Sequence, residues 1–224
     1  MTSRSALPTG DAVRLVILDC DGVLFDSREA NVAFYDSVLT TLGQPPLDEH
    51  GRELCHRMSG PQLWDHLFAH DAALHARAKE VAARADYSPF YSLMRPVEDL
   101  EATLLRLSSH CPLALATNRG RTVNGVVQQF GLDRFLSIWL GILDARAKPA
   151  PDLLLACLER AGIARDAAIY VGDTSVDRAA AAAAGIAFVA IGTENAGSET
   201  IAELRQLPDL LQIPPTAAGS TNVL

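Results

Sequence analysis

Apolar positions along this chain follow two rhythms. Short, nearly continuous apolar runs recur at Val13–Leu18, Pro112–Thr117, Ser137–Ile142, Ala167–Val171 and Ala187–Ile191. Runs of that length suit strands buried on both faces of a parallel sheet. Between them, apolar residues return every three or four positions. Val32, Phe34, Tyr35, Val38, Leu39 and Leu42 mark a helix over Arg28–Leu42, and similar spacing predicts helices over Val97–Ser109, Thr122–Phe130, Pro151–Ala161, Asp177–Ala184 and Glu199–Gln206. Gly43, Gly131, Gly162 and Gly185 stand where these helices should stop, and Pro151 stands at a first turn. Strands alternating with helices predict an α/β fold with right-handed crossovers.

One block departs from that alternation. From Asp48 to about Met94, the apolar positions Leu54, Met58, Leu63, Leu67, Phe68, Leu74 and Val81 all keep helical spacing, with no strand signal. The expected organisation is therefore a core formed by residues 1–26 and 96–224, with an all-α unit inserted at 27–95. Asp26–Ser27 and Arg95–Pro96 are the expected linkers. The tail from Pro208 reads as a docked or frayed end.

Composition narrows the partners. A formal net charge of -8 over 224 residues argues against a general nucleic-acid or anionic-membrane surface, leaving a small molecule as the expected partner. Cys20, Cys55, Cys111 and Cys157 are scattered and form no CxxC pair, which fits reduced, cytoplasmic thiols. The first ten residues hold no apolar stretch of signal-peptide length, and Ala179–Ile191 is too short, and interrupted by Gly185, to span a bilayer.

The candidate chemistry sits at strand ends. Asp19 and Asp21 flank one small residue, so in extended backbone both carboxylates project to the same side. Like charges that close raise one pKa, which allows one carboxylate to attack an electrophile while the other, its pKa raised, moves protons. An acidic turn needing no chemistry is the plainer alternative. Thr117–Asn118, Lys148 and Gly172-Asp173-Thr174 with Asp177 each also have ordinary readings as caps, turns or solvated loops. Their shared position changes the odds, because ligands of open parallel sheets bind beyond the carboxyl ends of the strands. Four carboxylates converging with one lysine ask for a hard cation and an anionic ligand.

Taken together, DxDGV at Asp19–Val23, Thr117–Asn118, Lys148 before Pro149, and GDTSVD at Gly172–Asp177 resemble, in order and spacing, the four motifs of the haloacid dehalogenase-like superfamily. The resemblance runs from about Val13 to Gly192 and is nearest to the phosphoglycolate phosphatase and β-phosphoglucomutase group. It implies a Rossmann-like parallel core, with the inserted helices as a C1 cap that closes as a lid. It further implies a Mg²⁺-dependent phosphatase acting on a small phosphorylated metabolite, with Asp19 as the nucleophile forming a phosphoaspartate and Asp21 as the acid and base. Thr117 would hold a phosphoryl oxygen, Asn118 would offer a backbone N–H, and Lys148 would neutralise charge. Asp19, the Asp21 carbonyl oxygen, Asp173 and Asp177 would hold or orient the ion.

Rivals differ in single residues. A dehalogenase does not need Asp21, whereas a mutase shares all four motifs but often carries an acid where Gly172 stands. A phosphonatase needs a cap lysine, and Lys79 lies on a polar helix stretch. A non-catalytic binding protein is the rival of another class. Substrate choice falls to His56, Arg57, Ser59 and Trp64 around Gly60, and to Arg28, Asn31 and Arg119 near the core mouth, although each also has an ordinary surface or packing explanation. His66 and His70 have metal-like spacing but no third ligand, so they read as a helix face.

Overall fold

The computed structural model describes residues 7–192 and 199–215. Strand β1 (Leu15–Leu18) is buried at every position. Val16 and Leu18 enter one apolar cluster while Leu15 and Ile17 enter another, so both faces of the strand are covered. Next come β2 (Phe25–Asp26), α1 (Arg28–Thr41), α2 (Glu49–Arg57), α3 (Gly60–Leu67), α4 (Ala72–Arg84) and a 3₁₀ turn at Ser88–Leu93. The second half runs β3 (Arg95–Pro96), α5 (Leu100–Ser108), β4 (Leu113–Ala116), α6 (Thr122–Gln129), β5 (Leu136–Leu140), α7 (Asp152–Ala161), β6 (Ala168–Gly172), α8 (Ser175–Ala184), β7 (Ala187–Ile191), β8 (Glu199–Ile201) and α9 (Leu207–Leu210).

The main sheet is six-stranded and parallel, in the order β5-β4-β1-β6-β7-β8. The chain moves outward from β1 to β4 and β5, then returns to β6 on the other side of β1. That reversal opens a crevice at the carboxyl end of β1. Helices cover both faces, giving the expected Rossmann-like α/β fold. No described helix is long and apolar enough to cross a membrane.

The segment from α1 to the 3₁₀ turn is helical throughout, and polar side chains at the helix starts explain where its helices begin. Asp48 accepts the Gly51 N–H at 2.7 Å, Asp71 accepts the Leu74 N–H at 2.9 Å, and Ser59 forms a capping box with Gln62. Its interior is aromatic: Phe34 meets Tyr35, Tyr87 and Phe90, while Tyr35 meets Trp64, with ring centroids between 5.2 and 5.9 Å apart. Each such pair contributes about 0.5–1.5 kcal/mol beyond area burial.

Two features depart from the sequence expectation. The linkers flanking the helical insertion form a two-stranded antiparallel ribbon, with Phe25 opposite Pro96 and Asp26 opposite Arg95. The predicted helix over Glu199–Gln206 is corrected: residues Glu199–Ile201 form β8, followed by a 3₁₀ turn at Leu204–Gln206. The periodic apolar residues Ile201, Leu204, Leu207 and Leu211 are all buried as a helix would require. The backbone of the first of them is instead drawn into satisfying the N–H and C=O groups that β7 would otherwise leave unpaired at a sheet edge. The tail is docked as far as Ile213, which is 2% exposed, and Arg106 donates to the carbonyls of Ile213 and Pro214. Beyond residue 215, the expectation of a frayed end lies outside the described residues.

Candidate active site

Register places the motifs side by side. Leu18 pairs with Leu115 of β4 and Val171 of β6, and the Asp19 N–H donates to the Val171 carbonyl at 3.0 Å. Asp19 therefore leaves the sheet between Thr117 on one side and Gly172–Asp173 on the other. The chain then turns sharply at Gly22, where φ is +79°, and a Cβ there would stand 1.9 Å from Asp173 Oδ2. Only glycine accommodates both the left-handed backbone and the carboxylate lying against it.

Lys148 is the hub of this rim and is 2% exposed. Its ammonium lies 2.8 Å from Asp19 Oδ1 and 2.6 Å from Asp177 Oδ1, and it donates to the Tyr170 hydroxyl at 2.7 Å. Tyr170 in turn donates to Asp177 Oδ1 at 2.6 Å. The other Asp177 oxygen accepts from the Thr174 N–H and hydroxyl, completing the capping box that starts α8. Asn118 clamps the lysine's own backbone: its Nδ2 donates to the Lys148 carbonyl at 3.1 Å, and its Oδ1 accepts the Lys148 N–H at 2.8 Å. Asn118 thus acts through its side chain, where the sequence pointed to its backbone N–H. Thr117 is 1% exposed, and its hydroxyl accepts the Arg119 N–H at 3.2 Å.

Charge at the rim is unbalanced. Burial drives the Asp19 carboxyl well above the ordinary range; Lys148 opposes that rise, while Asp177, Asp173 and Asp21 reinforce it. Asp173 is pushed up to about 7, chiefly by burial and then by Asp177. Burial also disfavours ionised Asp177, but the Lys148 ammonium outweighs it and holds that carboxyl low. One oxygen from each of Asp19, Asp173 and Asp177 can lie within 4.8 Å of the others. Three all-oxygen donors this close, with one ammonium between them, fit a hard divalent cation.

Asp21 lines the same cavity as Asp19 but has its own set of partners. Its carboxylate accepts from Arg119 Nε at 2.8 Å and Nη2 at 2.5 Å, from the Ser27 hydroxyl, and from Asn31 at 3.4 Å. Burial would raise its pKa, yet the Arg119 guanidinium beside it brings the carboxyl below the usual value. The expected division between the two acids is therefore reversed in this structure: Asp19 is raised and Asp21 lowered, because Arg119 reaches only Asp21. Arg119, expected at the mouth as a substrate cation, is 8% exposed and committed to that pair, with its guanidinium 5.0 Å from the centre of the Tyr87 ring.

A cavity of about 420 Å³ joins this rim to the inserted helices, with Asp19, Thr117 and Lys148 at one end and Tyr35, Met58 and Trp64 at the other. Asn31 also lines it. Arg28 is instead paired with Asp26 on the surface at 2.9 Å, and Ser59 is occupied by Gln62. The side chains of His56 and Arg57 lie outside the described residues. Tyr170 was not anticipated, although a tyrosine in a fully buried strand needs a partner for its hydroxyl and could have been flagged on that ground.

A doubly wound parallel sheet, helices inserted after its first strand and an aspartate–lysine cluster at its switch point together define the haloacid dehalogenase-like class. The chain belongs to the haloacid dehalogenase-like hydrolase family, whose model matches residues 16–191. It is 30% identical to phosphoglycolate phosphatase 1 of Pseudomonas aeruginosa over 190 residues, covering 80% of this chain and 69% of the relative. It is also 30% identical to the tyrosine-protein kinase PtkA of Mycobacterium tuberculosis over 193 residues, 84% of this chain, but it spans only 65% of that relative's length. A solved HAD-superfamily hydrolase of subfamily IA, variant 1, from Geobacter sulfurreducens matches with a TM-score of 0.73 and 34% identity, covering 91% of this chain and 98% of that one. The enzyme class expected from the motifs, a hydrolase of phosphoric monoesters, agrees with this family and with relatives named as phosphatases.

Proposed function

We propose that the protein is a Mg²⁺-dependent phosphatase that hydrolyses a small phosphorylated metabolite through a phosphoaspartate on Asp19. The observation that carries this reading is the Lys148 ammonium 2.8 Å from Asp19 Oδ1, within a rim of three mutually close carboxylates. The Asp19 carboxylate attacks phosphorus, the ester oxygen departs with a proton from Asp21, and water deprotonated by Asp21 then releases phosphate from Asp19. Lys148 and the Thr117 hydroxyl stabilise charge on the phosphoryl oxygens. Asp19, the Asp21 carbonyl and Asp173 would hold the ion, with Asp177 orienting its loop. When bound, Mg²⁺ adds positive charge against the same oxygens and offsets the repulsion among the acids.

Asp21 as held by Arg119 suits the base role. Its acid role requires proton uptake, so that grip has to slacken when substrate enters. Residues 27–95 are assigned as the cap and 1–26 with 96–224 as the core, the β2–β3 ribbon being the joint that permits closure. A mutase is disfavoured because a Cβ on Gly172 would meet Asp177 Cβ at 2.4 Å, leaving no room for an acid there. A cytoplasmic location fits four cysteines that are all buried and free of disulfides.

Phosphate release from p-nitrophenyl phosphate tests the proposal. Turnover should require Mg²⁺, stop on chelation, and fall by roughly a thousandfold or more in Asp19→Asn. Unchanged turnover in that variant would overturn the assignment.

A further inference from the structure

We infer that the substrate's alcohol portion is apolar and presents a flat or hydrocarbon face. The inference rests on the phosphatase reading and concerns the same cavity. Beyond the phosphoryl end, one stretch of the wall is hydrocarbon and aromatic, formed by Tyr35, Met58, Pro61 and Trp64 from the helical insertion and by Ile142 and Leu143 from the loop after β5, with polar side chains such as Asn31 and Thr122 beside it. Leu143 is 71% exposed, so its hydrocarbon is open to whatever enters the cavity. A volume of about 420 Å³ also exceeds what a two-carbon acid needs and falls in the range of pockets that enclose drug-sized ligands.

The charges support the same conclusion. Four cations among the described residues line the cavity, and the two buried ones are committed to carboxylates. Lys148 is shared by Asp19 and Asp177, Arg119 is held by Asp21, Lys79 is paired with Asp65 at 3.1 Å, and Arg121 donates to the Ala83 carbonyl at 3.2 Å. The first two are also needed for the phosphoryl chemistry. An anion placed against the apolar stretch of this wall would be desolvated there without a partner, which is strongly disfavoured. An aromatic or aliphatic face would instead remove from water the side chains that already line the space.

Two alkyl monophosphates of similar leaving-group basicity provide the test: 2-phenylethyl phosphate and phosphoglycolate, compared by kcat/KM with saturating Mg²⁺ and with pyrophosphate as a third substrate. The expected result is a preference for 2-phenylethyl phosphate of about tenfold or more over both others. Met58→Ala should raise KM for 2-phenylethyl phosphate about tenfold with kcat little changed. Leu143→Lys, at a site exposed enough to leave the fold intact, should improve kcat/KM for phosphoglycolate by about threefold. Parity, or a preference for phosphoglycolate or pyrophosphate, overturns the inference while leaving the phosphatase reading in place. Absence of Mg²⁺-dependent turnover on every substrate, p-nitrophenyl phosphate included, overturns both.

Discussion

Two buried cation–carboxylate sites stand side by side beyond β1, and they are built on opposite principles. Around Lys148, one ammonium serves Asp19 and Asp177 while Asp173 adds a third carboxylate nearby. Around Arg119, one guanidinium meets one carboxylate in two-pronged fashion, and Ser27 and Asn31 donate to the same acid. In the first site burial, reinforced by the neighbouring carboxylates, drives two of the acids up in pKa. The second is balanced, so its acid is driven down. On the proposed function, the crowded acids are where a cation and a phosphoryl group would belong, and the paired Asp21 is a group held in readiness. The two sites are joined by a short stretch of backbone, with Asp19 and Asp21 separated by the wholly buried Cys20, and by the charge of Asp21, which reinforces the rise at Asp19.

The contrast can be broken by removing each cation. Lys148→Met should have the largest effect, because it leaves buried Asp19 and Asp177 without their shared counter-charge and removes a donor from the transferred group. Turnover should fall by about 10²–10³, the scale for losing one preorganised electrostatic partner, as read by steady-state phosphate release. Loss of less than about threefold would show that the lysine is structural.

Arg119→Met should act on stability before chemistry. Breaking a buried ion pair by removing one partner costs about 3–5 kcal/mol. The Asp21 side chain keeps 28% of its surface exposed, which reduces the expected cost to about 2 kcal/mol in denaturant unfolding. Losing the guanidinium also removes what holds Asp21 low, so the basic limb of the kcat/KM profile, set by Asp21 as the acid of the first step, should move to higher pH. A limb that does not move would place Asp21 outside the rate-limiting proton transfers.

The smallest effect concerns pH and the ion. Asp173 keeps its proton up to about 7 in the folded protein, whereas an unfolded aspartic acid loses it near 3.9. Between those values the folded state binds more protons than the unfolded one, so ion-free stability should decline as pH rises through that window. Below about 4 the group makes no difference to the slope. Mg²⁺ meets an ionised Asp173 only above the upper value, so the rise in melting temperature on adding Mg²⁺ should be greater at pH 8 than at pH 5.5. An equal rise at both would show that Asp173 is not part of the ion's site.

Much of this architecture was readable from residue patterns. The five apolar runs became strands, the helical block from Asp48 onward stayed free of strands, and the scattered acids and Lys148 met at one rim. Glu199–Ile201 was misread because its apolar spacing is helical, and the decisive factor, the open edge of β7, lies outside the segment itself. The β2–β3 ribbon was missed for a related reason: its two strands are two residues long and widely separated in sequence, so neither carries a period.

What the sequence determined by itself is therefore the identity and order of the groups gathered at the rim, because a run of apolar residues ending in acid declares both a buried strand and the point where it must leave the sheet. Only the tertiary structure decided the state of each group. Arg119 is an ordinary charge in the sequence and becomes the keeper of Asp21 through folding. Asn118 becomes a clamp on a loop 30 residues away, and Tyr170 becomes the bridge between Lys148 and Asp177. Local periodicity reflects which face of an element is buried. Charge state depends on which partners reach into the same low-dielectric space, and that is set by contacts between segments far apart in the chain.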